Sequence, residues 1–185
     1  MELDTGFERR NMMLVLVFVV TALLVSDVAG NSNTSAEENE LFQRAYLIQG
    51  RCDPGWFYYR TLNACYRYFN VKKSWEEAQT LCNIPPHYGK LASVCSKDHN
   101  SFISKVLRRQ AGRRSAWIGL NDISQEGTYR WVDGAYYSYR NWGANEPNTC
   151  RRYEDCVLIR GASGGDWDDV SCDEEHGFVC SYIPH

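Results

Sequence analysis

Eight cysteines constrain this chain most strongly, and all of them fall within residues 52–180. In an extracellular chain an even count indicates disulfide bridges, but eight cysteines allow roughly a hundred connectivities, so the count alone does not fix the pairs. Bridges persist only in an oxidising compartment. The N-terminal segment therefore decides how these cysteines are to be interpreted.

That segment has the layout of a secretory signal. Arg9 and Arg10 precede an apolar run at residues 12–25, and the small residues SDVAG follow. A basic, an apolar and a small-residue region in this order predict a signal peptide over residues 1–30, cleaved after Gly30. The alternative is an uncleaved membrane anchor, but the run is shorter than the roughly 20 residues that span a bilayer. We therefore expect a secreted, extracellular protein with paired cysteines.

Residues 31–50 begin as a polar segment with the sequon Asn33-Thr34-Ser35, which predicts glycosylation at Asn33. Apolar residues between Leu41 and Ile48 have partly helical spacing. A linker is favoured here, and a short oligomerising neck, which would make the protein a homo-oligomer, is the alternative. The compact domain is expected over residues 51–185.

Within that domain the patterns predict short elements of both kinds. A hairpin covers residues 52–69, and Ser74 with Glu77 forms a capping box that starts a first helix. A second helix opens at Ser96, with Phe102, Ile103, Val106 and Leu107 as its buried stripe. The segments LASV, AWIGL, YRWVDG, DCVLI and HGFVCSYI predict strands. Residues 135–165 are mostly a long loop, which favours a functional segment.

Two acidic stretches, NEPNTCRRYEDC at residues 145–156 and GGDWDDVSCDEE at residues 164–175, raise the question of a bound cation. Ca²⁺ takes six to eight oxygens from carboxylates, amides and backbone carbonyls. The stretches offer such ligands at Glu146, Asn148, Glu154, Asp168 and Asp169. Acidic residues also gather in loops because loops are solvated, and clustering alone favours that simpler explanation.

The landmarks taken together are more specific. The order and spacing of CDPGW…CY, WEEAQTLC, LASV, WIGL, EPN, EDC, WDD and the final C…FVC resemble a C-type lectin-like domain over residues 51–183. The resemblance implies an α+β fold with two helices, small antiparallel sheets and a long calcium-binding loop. It implies the bridges Cys52–Cys65, Cys82–Cys180 and Cys156–Cys172. Cys95 and Cys150 lie outside that pattern, and we expect them to pair with each other or to bridge two chains.

The resemblance also implies the site. Glu146, Asn148, Glu154, Asp168 and Asp169 would hold calcium, and the first four would also contact a sugar with adjacent equatorial hydroxyls. The EPN tripeptide, residues 146–148, is typical of mannose-, fucose- or N-acetylglucosamine-type binders, and a cis bond is expected before Pro147. An auxiliary ion would take Asp122, Glu126, Glu154 and Asp155, although Thr149 occupies a further position that is usually acidic.

One position departs from the pattern. Asp168 stands where the family usually has asparagine, and an ionised carboxylate accepts hydrogen bonds but cannot donate one to a sugar hydroxyl. The sequence alone therefore predicts weak binding of single sugars, and stronger mannose binding after Asp168→Asn.

The functional reading is a non-enzymatic, calcium-dependent lectin that recognises cell-surface or microbial glycans, as in innate immunity. The alternative is a module of the same fold that binds a protein, mineral or ice surface, with calcium kept for structure. A net charge of −3 does not favour nucleic acid, and neither HExxH nor a Lys-Ser/Thr P-loop is present.

Two further features have competing interpretations. The basic run Lys105–Arg114 suits a solvated helix end, and the alternative is a patch for anionic surfaces. The side chains of Trp131, Trp142 and Trp167 are predicted to belong to the core rather than to stack on sugars.

Overall fold

The computed structural model describes residues 52–148 and 153–184. The signal peptide, the linker, Asn33, Thr149 and Cys150 lie outside these ranges, so the predictions made for them stay predictions. Within the described ranges, no helix is both long and apolar enough to cross a bilayer.

The described residues form eight short strands and two helices. The strands are β1 (Phe57–Tyr59), β2 (Ala64–Lys73), β3 (Lys90–Leu91), β4 (Ala116–Asn121), β5 (Arg130–Trp131), β6 (Cys156–Arg160), β7 (Asp166–Val170) and β8 (His176–Tyr182). The helices are α1 (Trp75–Cys82) and α2 (Lys97–Ala111), and a 3-10 turn covers Arg60–Leu62.

All eight strands join one sheet. The order is β1-β2-β8-β4-β6-β7, with β3 beside β8 and β5 beside β4. The β4–β8 pair is parallel and the other pairs are antiparallel. The predicted fold class is confirmed, and the detail that differs is that the strands form a single mixed sheet.

Local sequence signals fix both helix starts. Ser74 Oγ accepts the Glu77 N–H at 3.4 Å, and the Glu77 carboxylate accepts the Ser74 N–H at 3.2 Å, so the predicted capping box is present. Ser96 Oγ accepts the His99 N–H at 3.2 Å and caps α2. Such caps each contribute about 1 kcal/mol. The predicted stripe of α2 faces the core, with Phe102 only half-buried.

Three bridges connect the elements, and all three match the expected pairs: Cys52–Cys65, Cys82–Cys180 and Cys156–Cys172. Cys82–Cys180 joins α1 to β8 across 98 positions of the chain. Closing a loop of that length removes about 4 to 5 kcal/mol of chain entropy from the unfolded state in the entropic account of disulfides. Cys95 is exposed and belongs to none of these bridges. Its pairing with Cys150, or with another chain, stays a prediction.

Two predicted strands are shorter than expected: of LASV only Leu91 belongs to a strand, β3, and of YRWVDG only Arg130–Trp131. Leu91, Ala92 and Val94 are nonetheless buried as a strand would be. The WDD segment, which was not among the predicted strands, forms β7 with burial that alternates along Asp166–Val170. Four of the five β7 residues are acidic or aromatic, so the polar composition hid the period-two pattern that a half-buried strand has.

The stability of this fold should depend on pH through His99. The imidazole is fully buried and stacks on Tyr59 with centroids 4.7 Å apart, and burial lowers the pKa of His99 from 6.5 to about 4. Between about pH 6.5 and pH 4, His99 therefore binds a proton in the unfolded chain but not in the folded chain. Stability is fully present above about pH 6.5 and falls toward pH 4.

We expect the loss in unfolding free energy between pH 7 and pH 5 to be about 2 kcal/mol smaller in His99→Gln than in the unmodified protein. Urea unfolding of both proteins with a chelator present measures it. Parallel pH profiles for the two proteins would contradict this assignment.

Candidate metal and carbohydrate site

The site forms where β7 meets the loop before residue 149. Trp167, the second residue of β7, is fully buried, and its indole N–H donates to Asn100 Oδ1 of α2 at 2.9 Å. The Trp167 backbone N–H donates to the Asn141 carbonyl at 2.8 Å, and its carbonyl accepts the Gly143 N–H at 2.9 Å. The loop is thereby tied to the strand that carries Asp168 and Asp169.

Three carboxylates converge at this junction. One oxygen from each of Glu146, Asp168 and Asp169 lies within 4.8 Å of the other two. Oxygens bound to calcium at roughly 2.3 to 2.6 Å from the ion can be at most about 5 Å apart. The donor type and the spacing therefore fit a calcium ion, which the sequence had predicted for the same residues.

Asn148 donates hydrogen bonds to two of these three carboxylates. Its side-chain amide donates to Glu146 Oε2 at 2.9 Å, and its backbone N–H donates to Asp169 Oδ1 at 3.3 Å. The bond between Glu146 and Pro147 is cis, as predicted. The EPN tripeptide thus contacts β7 directly.

Asp169 is held from two sides. It is 3% exposed, and its second carboxylate oxygen accepts the hydroxyl of Tyr129 at 2.8 Å. Burial raises the pKa of Asp169 and the nearby Glu146 charge adds to that effect, whereas the hydrogen bonds from Tyr129 and Asn148 oppose it. Burial and the contact with Asp169 also raise the pKa of the Tyr129 hydroxyl. Sequence reasoning missed Tyr129, because the hydrogen bond spans 40 positions of the chain.

Asp168 also has a partner that the sequence did not reveal. Arg160, the last residue of β6, places Nη1 3.3 Å from Asp168 Oδ2. The positively charged guanidinium of Arg160 therefore faces Asp168, one of the three carboxylates.

Glu154, the remaining predicted ligand, is half-buried and lies two positions before the bridged Cys156. It does not belong to the close group of Glu146, Asp168 and Asp169. The structure therefore brings four of the five predicted ligands together, and the role of Glu154 stays a prediction.

The auxiliary site is only partly assembled. Asp122 is 1% exposed, its Oδ2 accepts the Gly127 N–H at 2.8 Å, and its backbone N–H donates to the Asp155 carbonyl at 3.1 Å. Burial raises the pKa of Asp122, and the charges of Glu126 and Asp155 act in the same direction. Among the described residues, the other carboxylate oxygen of Asp122 has no hydrogen-bond partner. That orphaned oxygen fits a cation, although Asp122, Glu126, Glu154 and Asp155 form no close carboxylate group there.

The tryptophans Trp131, Trp142 and Trp167 differ in burial. Trp131 and Trp167 are buried in the core as predicted, while Trp142 is half-buried and packs on Trp167 at 5.9 Å.

The basic side chains within Lys105–Arg114 are exposed around the end of α2, and Arg114 donates to Asn70 Oδ1 at 3.0 Å. Their contact with an anionic surface stays a prediction.

Comparison with known proteins agrees with this architecture. The family model of the lectin C-type domain matches residues 71–182 of the sequence. The chain is 30% identical over 173 residues to C-type lectin lectoxin-Lio3 of Erythrolamprus poecilogyrus, covering 93% of this chain and 95% of that protein.

Two solved structures indicate the functional range of similar proteins. The cow C-type carbohydrate-recognition domain of CD23, solved in the presence of a GlcNAc2Man3 oligosaccharide, gives a TM-score of 0.63 at 33% identity and covers 72% of this chain and 97% of its own. A calcium-independent type II antifreeze protein gives a TM-score of 0.64 at 25% identity, with coverage of 72% and 95%.

This chain belongs to the C-type lectin domain family. Domains of this family are in general non-enzymatic binding proteins. A domain solved in the presence of an oligosaccharide and a calcium-independent antifreeze protein share the fold, so the fold leaves the ligand open.

The hydrogen bond from Tyr129 to Asp169 gives the first prediction for the site. In Tyr129→Phe one oxygen of a buried carboxylate loses its donor beside two other carboxylates. We expect the unfolding free energy without calcium to fall by about 1 to 3 kcal/mol. Chemical unfolding in chelator measures the change. Tyr136→Phe is the control, because Tyr136 is 86% exposed, and an equal effect in both variants would refute the role of Tyr129.

Proposed function

We propose that this protein is a secreted, calcium-dependent lectin for mannose-, fucose- or N-acetylglucosamine-type sugars, which it recognises on cell-surface or microbial glycans. The observation that carries the proposal is the convergence of Glu146, Asp168 and Asp169 beside Asn148. Three carboxylate oxygens and an amide are a donor set suited to a hard divalent cation.

Each residue has a separate part in this proposal. Glu146 and Asn148 are in contact, so one offers hydrogen-bond acceptors and the other an N–H donor at adjacent points of the rim. A sugar hydroxyl both donates and accepts, so this pair suits a hydroxyl group. Asp169 is buried and held by Tyr129, which suits a ligand directed at the ion rather than at the sugar. When bound, calcium would supply direct coordination of two neighbouring sugar hydroxyls.

The alternative is a module that binds a protein, mineral or ice surface. The similarity to a calcium-independent antifreeze protein keeps it in view. Calcium is kept for structure in this alternative, so the acidic group alone does not separate the two functions. The intact pair of Glu146 and Asn148 favours the lectin, because an acceptor and a donor in contact suit a sugar hydroxyl. No described feature favours a flat surface as the ligand.

Calcium ligation predicts a sharp effect of isosteric substitutions. Glu146→Gln and Asp169→Asn each remove one charge at nearly constant shape, and each is expected to lower calcium affinity at least about tenfold. Titration calorimetry measures the affinity. Glu76→Gln is the control, since Glu76 is exposed in the first turn of α1 and its substitution changes the net charge equally. Unchanged affinity in Glu146→Gln would disprove the ligand assignment.

Sugar binding through the ion predicts behaviour on a column. The mature protein should be retained by immobilised mannose in calcium and elute when a chelator is added, and Glu146→Gln should pass through. Retention that persists in chelator would point to a calcium-independent surface. A protein that binds calcium but none of mannose, fucose or N-acetylglucosamine would support the alternative module.

A further inference from the structure

The ion pair of Arg160 and Asp168 lies at the edge of the proposed sugar site. Across β6 and β7, Arg160 is opposite Asp166 and Asp168 is opposite Leu158, so the two charged residues are diagonal neighbours. Their charged atoms are 3.3 Å apart, and the side chains are 30% and 23% exposed. The pair is therefore open to solvent on one side and packed on the other.

The packed side fixes the guanidinium. It lies against Gly143, where a side chain would overlap the terminal nitrogen and the central carbon of Arg160. The Gly143 N–H donates to the Trp167 carbonyl, so this backbone cannot easily move away. Arg160 Nε is buried and has no hydrogen-bond partner among the described residues. Packing and Asp168 together therefore set its position.

This arrangement bears on the hydrogen bonds at position 168. Asp168 is one of the three close carboxylates, and its Oδ2 accepts from Arg160. A guanidinium has five N–H groups and cannot be deprotonated in a protein. An asparagine offers an oxygen and an N–H from one side chain, whereas here Asp168 offers the oxygen and Arg160 the N–H groups.

We propose that Arg160 is a specificity-determining residue of the sugar site, which orients Asp168 and donates to the sugar hydroxyl that Asp168 cannot serve. This inference rests on the proposed lectin function. It changes the expectation drawn from sequence, because Asp168→Asn then gains no missing donor and breaks an ion pair. We now expect Asp168→Asn to bind mannose no more tightly than the unmodified protein.

The test compares two replacements of similar length. Arg160→Met cannot donate a hydrogen bond, and Arg160→Gln can. With saturating calcium, affinity for methyl mannoside should fall about tenfold or more in Arg160→Met and about threefold or less in Arg160→Gln. Calcium affinity should stay equal or rise in both, since a nearby positive charge is removed. Arg60→Met is the charge-matched control, as Arg60 is exposed in the 3-10 turn.

A double variant separates donation from a purely structural role. Arg160→Met with Asp168→Asn restores an N–H at position 168, so its mannoside affinity should recover most of the loss. Thermal unfolding of every variant checks folding, and Asp168→Asn carries the test if Arg160→Met does not fold, because tighter mannoside binding by Asp168→Asn would overturn the donor role. Loss of sugar binding without recovery in the double variant would overturn the donor role, as would equal losses in the Met and Gln variants.

The failures of the two proposals are distinguishable. If the unmodified protein binds calcium but none of methyl mannoside, fucose and N-acetylglucosamine, the lectin function fails and this inference fails with it. If the unmodified protein binds mannoside and Arg160→Met binds it equally well, only the role of Arg160 is refuted.

Discussion

The clamp around Trp167 is the interaction on which the rest of the site depends. Its indole is buried and bonded to Asn100 in α2, while its backbone N–H and carbonyl bond to Asn141 and Gly143. Tyr137, Tyr139 and Trp142 of the loop also pack against the core, and the last two contact the Trp167 ring. These contacts and the bonds to Trp167 hold the loop on β7, so that their acidic side chains meet.

Bringing these three carboxylates together costs electrostatic free energy, which neighbouring hydrogen-bond donors and one cationic side chain offset. Like charges about 4 Å apart repel by roughly 4 kcal/mol at the effective dielectric near a protein surface. Four contacts counter the repulsion: the hydroxyl of Tyr129 and the backbone N–H of Asn148 on Asp169, the side-chain amide of Asn148 on Glu146, and the guanidinium of Arg160 on Asp168. The donors hold Asp169 in place without a cation, and Arg160 supplies the opposite charge for Asp168.

Similarity in fold does not decide the ligand in this family. The chain aligns comparably with a domain solved in the presence of an oligosaccharide and with a calcium-independent antifreeze protein. What distinguishes such proteins is a few side chains on a common frame. In this chain Tyr129 and Arg160 contact consecutive residues of β7, and the proposal above makes Arg160 one of those side chains.

The sequence by itself determined what local and periodic signals can carry. Caps at Ser74 and Ser96 started both helices, and the family resemblance carried the three bridges and the cis bond at Pro147. The sequence by itself revealed neither strand β7 nor the hydrogen-bond partners of Asp168 and Asp169. A strand whose polar side chains are buried by contacts distant in the chain looks like a loop. Tyr129 and Arg160 reach Asp169 and Asp168 only because the sheet registers and the Trp167 clamp bring remote segments together. Hydrogen bonds of that kind are set by three-dimensional packing, which no local pattern records.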